Sequence, residues 1–162
     1  MSVQPIIQSL EQLIHFHERL VEISEQKTAL IKDGLIEELQ ALLVKERKEI
    51  RLLEQAEEKR QVDVEVWFQK RQTDQTATIT GMLEMLTDEA EIKELEEITI
   101  KLTENIAKLK QQEELNQSLL NQSMQFIQLT MSMMNPAMKE INYGKQKQAP
   151  PSINRSVFDS QA

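Results

Sequence analysis

The sequence predicts an all-α protein: an elongated, antiparallel, coiled-coil-like bundle of three long helices, followed by a flexible C-terminal tail. Three observations predict it. Glycine and proline number only 3 and 4 in 162 residues, so little interrupts the chain. Glu, Gln, Leu, Lys and Ile dominate, a composition that favours long helices over sheet. Apolar residues also recur at alternating steps of four and three, the spacing that keeps one helical stripe on a partner. The domain division that follows is a bundle over residues 1–136 and a tail over 137–162.

The first helix is expected from about Pro5 to Lys32, with Ser2 as its cap and the proline in the tolerated first turn. Its seam is Ile6, Leu10, Leu13, His17, Leu20, Ser24, Lys27 and Ile31. Val3, Ile7, Ile14 and Val21 widen that seam into a bundle stripe. Asp33-Gly34 ends the helix, because glycine readily takes the left-handed conformation. So short a loop returns the chain antiparallel, as a hairpin.

The second helix is expected from Leu35 to about Thr73, with Leu35, Leu39, Leu42, Leu43, Ile50, Leu53, Ala56, Val64, Trp67 and Phe68 as its apolar positions. The dense charges between Lys45 and Arg60 read as a solvated face. Threonines and a glycine between Gln72 and Gly81 weaken helix propensity and mark a bend, with a short helical piece through Met82, Leu83, Met85 and Leu86. The last helix begins at Thr87-Asp88, where Asp88 and Glu91 have capping-box spacing. Ile92, Leu95, Thr99, Leu102, Ile106 and Leu109 carry its seam, and Asn135-Pro136 ends it near Met134.

The net charge of −8 argues against nucleic acid and anionic membranes, both of which need a basic patch. Cysteine is absent, which removes disulfides and thiolate metal sites. The N-terminus lacks a secretory pattern and no apolar run is long enough to span a bilayer, so the expected location is cytoplasmic, without stable membrane insertion. His15 and His17, the only histidines, point in different directions on a helix and share no metal; His17 reads as a half-buried core residue. No phosphate loop or nucleophile–histidine arrangement is present, so neither an enzyme nor a cofactor is expected. Trp67-Phe68 is expected to pack on the last helix near one end of the bundle.

The sharpest local departure lies late in the last helix. In a chain that is 28% charged, Leu115 to Met138 contains no charged residue, and it holds five of the eight methionines. One apolar row, Leu120, Ile127 and Met134, extends the seam. A second row, Leu115, Leu119, Phe126, Leu129 and Met133, lies beside it, and Met131 adds to the same surface. One seam suffices for packing on the hairpin; a second needs another occupant. Methionine suits a surface that repacks around more than one partner helix. The residues alone leave two readings open: a groove for a partner's amphipathic helix, or a structural coiled-coil adaptor or self-associating bundle, such as a homodimer.

One ordered set of blocks remains: Leu10 to Leu20, Ser24-Glu25-Gln26-Lys27, Asp33-Gly34-Leu35, Asn105, the run Glu114 to Ser123, Phe126-Ile127, Tyr143-Gly144 and the closing Val157 to Ala162. In that order they resemble the FlgN family of flagellar export chaperones. It implies binding of the C-terminal helices of the hook–filament junction proteins FlgK and FlgL, protection from premature assembly, and delivery to the flagellar type III export gate. It maps client binding onto Leu115 to Met134 and export-gate docking onto Tyr143, the single tyrosine. Where the family often carries more glycine after Tyr-Gly, this chain has Lys145-Gln146-Lys147.

Overall fold

The first helix, α1, spans Gln4–Asp33 in the computed structural model, which describes residues 2–134. The expected tail and Tyr143 lie outside the described residues. Ser2 Oγ accepts the Gln4 N–H at 3.0 Å, which supplies one of the free amides at the start of α1. Every apolar position expected to widen the seam is buried, and so are Ile6, Leu10, Leu13, Leu20, Ser24 and Lys27 within it. Gly34 terminates the helix at φ 67°. Its N–H bonds the Ile31 carbonyl at 3.3 Å, and the Leu35 N–H bonds the Leu30 carbonyl at 3.1 Å, a Schellman closure.

The return helix, α2, spans Ile36–Gln69. It is antiparallel to α1: Lys27 meets Glu46, Arg19 meets Glu49, and Ser9 meets Asp63. After it the chain turns through Gln72, whose φ of 52° is left-handed, and enters a short helix, α3, over Ile79–Met85. Thr78 Oγ1 caps α3 by accepting the Gly81 N–H at 3.0 Å. Gly81 sits close to its neighbours: a Cβ there would stand 3.0 Å from the Thr76 carbonyl oxygen and 3.3 Å from Phe68 Cζ, so they would have to give by a few tenths of an ångström.

The last helix, α4, spans Glu89–Met134. Asp88 caps it through the Ala90 N–H, which its Oδ1 accepts at 2.9 Å, and not through the Glu91 N–H that a capping box uses. Gln4 meets Glu94, Glu18 meets Lys101, Glu25 meets Lys108 and Thr28 meets Asn116, so α4 is parallel to α1 and antiparallel to α2. Among the described residues the fold is thus three long helices and one short one, all α. The chain divides into two units, Met1–Leu120 and Asn121–Ala162, and α4 contributes residues to both.

The core of the first unit is concentrated where α1 begins and α2 ends. Val3, Ile6, Leu10 and Leu13 pack there with Val64, Trp67 and Phe68, and with Met82, Leu86 and Leu95. Trp67 meets Phe68 edge-on at 5.0 Å, and the Arg71 guanidinium lies 3.7 Å over the indole. Two expectations for α2 need correction. Leu35 and Ile50 are exposed rather than core, and the charged run is not a uniformly solvated face. Stepping by four and three from Leu42 reaches Glu46, Glu49, Leu53, Ala56 and Arg60, so charged residues occupy α2's own seam. Glu49 is buried, and Glu46 and Arg60 are partly so, because α1 and α4 supply partners or cover.

Candidate functional site

The α4 seam runs unbroken by heptad steps from Ile92 to Met134, and its apolar positions from Leu120 onward are all exposed. Leu95 is 0% exposed, Leu120 38%, Ile127 56% and Met134 76%. The second row is equally bare: Phe126 is 70% exposed and Met133 72%. Leu115, Leu129 and Met131 are exposed too, whereas Leu119 is half-buried. The sequence pattern assigns the first row to hairpin packing; beyond Leu120 it is exposed along with the second. Export-gate docking at Tyr143 falls outside the described residues.

What holds α4 at the start of this segment is polar. Asn116, 2% exposed, donates from Nδ2 to the Ser24 carbonyl at 2.9 Å and to Ser24 Oγ at 3.0 Å. Thr28 Oγ1 donates to Asn116 Oδ1 and accepts from Gln112 Nε2. Lys27 Nζ bridges three helices, 2.6 Å from Glu46 of α2 and 2.7 Å from Glu113 of α4. Burial opposes the Lys27 charge, but the hydrogen bonds to Glu113 and Glu46 outweigh it and hold the ammonium pKa above its ordinary value. None of these residues was singled out by sequence reasoning as an anchor. The signal was present: polar residues at seam positions 24, 27, 46, 113 and 116.

Two further polar sites flank the apolar core. Asp63 is drawn below the usual carboxylate range: burial raises its pKa, but Lys59 and Ser9, which donate to it, outweigh that. His17 is pushed below the ordinary imidazole value by burial, against the opposing charge of Glu57, so it is neutral near pH 7. Its Nδ1 is buried with no hydrogen-bond partner among the described residues, as are Glu49 Oε2 and Trp67 Nε1.

Among the described residues no group of His, Cys, Asp or Glu side chains is arranged to hold a metal ion, and no helix is long and apolar enough to cross a membrane. The features that stand out are an uncharged helical surface from residue 115 to residue 134 and the bundle that carries its start. They define an all-helical protein whose longest helix carries an exposed, uncharged apolar face.

Comparison with known proteins narrows that class. The family described as FlgN protein matches residues 1–151, and the chain belongs to the FlgN family, the flagellar export chaperones. The chain is also similar to the uncharacterized protein YvyG of Bacillus subtilis (strain 168), at 32% identity over 164 residues covering 100% of each chain. No solved structure matches.

Proposed function

We propose that the chain is a cytoplasmic chaperone that binds the C-terminal helices of FlgK and FlgL along α4 between Leu115 and Met134. The bound helix buries its own assembly surface there, which keeps the client unassembled until delivery to the type III export gate. Tyr143 is the proposed gate contact. The observation that supports this reading is the pair of exposed apolar rows on a helix face without charge. Such a face recognises shape and apolar area rather than ion pairs, so two similar clients can share it. Neutral Asn, Gln and Ser between the rows keep the free surface hydrated.

The test is calorimetric titration of the chaperone with a FlgK C-terminal peptide. Phe126→Asp with Leu129→Asp places two carboxylates on the second row, at exposed positions that leave helicity intact. Affinity should fall at least about thirtyfold, the scale of a lost hot spot. The wild-type titration should show a negative heat-capacity change. Undiminished affinity in the double variant removes the α4 site. A stable homodimer that buries Phe126 and ignores both peptides favours the self-associating bundle instead.

A further inference from the structure

A second groove lies in the first unit, away from the uncharged segment. It runs between α2 and α4 and encloses about 530 Å3. Leu13 of α1, Leu53 of α2, and Leu102 and Ile106 of α4 line it with aliphatic carbon. Ile106 is exposed and Leu53 and Leu102 are half-exposed, so a heptad position of each helix is left incompletely covered. The cause is visible in the packing: α1 and α2 are the helices whose backbones pack closely along their length, and α4 stands further from α2.

The rim is one-sided in charge. Glu54 and Glu58 edge the groove from α2, both exposed and neither ion-paired among the described residues. Glu57 between them is ionised and engaged by Arg60 at 2.5 Å. The α4 residues that line the groove carry no countercharge. We infer that this groove docks a second polypeptide segment, an amphipathic helix with aliphatic residues on one face and lysine or arginine along the edge that meets Glu54 and Glu58. A fourth helix laid between two helices of a three-helix bundle restores the usual four-helix packing, with knobs entering the gap between Leu53 and Ile106. A second copy of this chain fits poorly. It carries a net charge of −8, which sets acidic helices against an acidic rim.

The experiment uses the full chain and two synthetic amphipathic helices with the same leucine face, one edged with lysine and one with glutamate. Binding is read by anisotropy of a fluorophore on the peptide, at low and moderate salt. The lysine-edged helix should bind, more weakly as salt rises, and the glutamate-edged helix should not. Glu54→Lys with Glu58→Lys should reduce affinity about tenfold or more. Ile106→Ser should reduce it about fivefold, through lost apolar contact at a position already exposed. Glu65→Lys with Glu84→Lys makes the same change in net charge away from the groove and should move affinity less than about twofold. The inference is overturned if the two peptides bind alike, if the rim reversal has no effect, or if the distant reversal weakens binding as much. It is equally overturned if Phe126→Asp with Leu129→Asp abolishes peptide binding, since the peptide would then occupy the proposed client site. Loss of client binding alone in that variant leaves the groove standing.

Discussion

At the level of Leu95 the helices of the first unit meet through aliphatic and aromatic side chains, whereas at the level of Asn116 the same α1 and α4 meet through amides, hydroxyls and one lysine. Leu95 and Asn116 are both buried, but the two levels hold α4 by different physics. Apolar burial is lost in full when a helix lifts away. A hydrogen bond that opens is largely replaced by one to water, so its net worth is about 1 kcal/mol. A buried ion pair gains little over its desolvation. The Leu95 end is therefore a clamp, and the Asn116 end, at the start of the uncharged segment, is a specific but yielding fastening. Register is still fixed there, because Asn116 meets both Ser24 and Thr28, and Lys27 both Glu46 and Glu113, in one alignment of the helices. A helix held in register yet cheap to free is suited to accepting another chain alongside it.

The contrast can be broken first at its strong end. Leu95→Ala removes a fully buried side chain at the meeting of α1, α2 and α3, and should cost about 3 kcal/mol by urea denaturation. A loss under about 1 kcal/mol would show that the clamp is no firmer than the polar end. Lys27→Ala should cost less, about 2 kcal/mol, because Glu46 and Glu113 are left facing one another but Glu113 is partly solvated. Adding Glu46→Leu and Glu113→Leu to Lys27→Met should restore stability to within about 1 kcal/mol of wild type or exceed it. Continued instability in that triple variant would mean the ionic seam contributes as much as aliphatic packing, and the two ends would no longer differ in kind.

Much of this was legible in the chain, for physical reasons. The α1 stripe is aliphatic and periodic, so every expected apolar position from Val3 to Val21 is buried. Asp33-Gly34 is a local signal and behaves locally, with Gly34 at positive φ. The charged half of α2 was misread because burial of a carboxylate depends on another helix. Glu49 looks solvated until Arg19 is placed 3.1 Å away, and Glu46 until Lys27 arrives from α1. The late α4 surface was legible as uncharged and two-rowed, but its degree of exposure was not. That depends on which side chains of other elements cover each position, which the pattern of one helix does not record. The groove edged by Glu54 and Glu58 had no sequence signal, since it arises from the spacing of α2 and α4.

The smallest expected effect concerns the boundary between the two ends, where His17 sits on the α1 seam beside Glu57. Burial lowers its pKa, so the unfolded chain takes up a proton near the ordinary imidazole value of about 6.5 while the folded chain does so only at lower pH. Between those values the unfolded state binds more protons, and stability must fall as pH drops below about 6.5. Glu57 and Asp63, whose pKa values are also depressed, act in the same direction but only near and below about pH 4. Lys27, raised, contributes stability that is lost only on the alkaline side, above about pH 10. The interval from pH 7 to pH 5 therefore isolates His17. The wild-type melting temperature should decline across it by on the order of 1–2 °C, discounted for the imidazole's partial exposure. His17→Leu should flatten that decline while leaving the acid transition below pH 4 in place. An unchanged slope in the variant would place the acid sensitivity elsewhere, and the imidazole would then be an ordinary solvated group with no part in separating the clamp from the fastening.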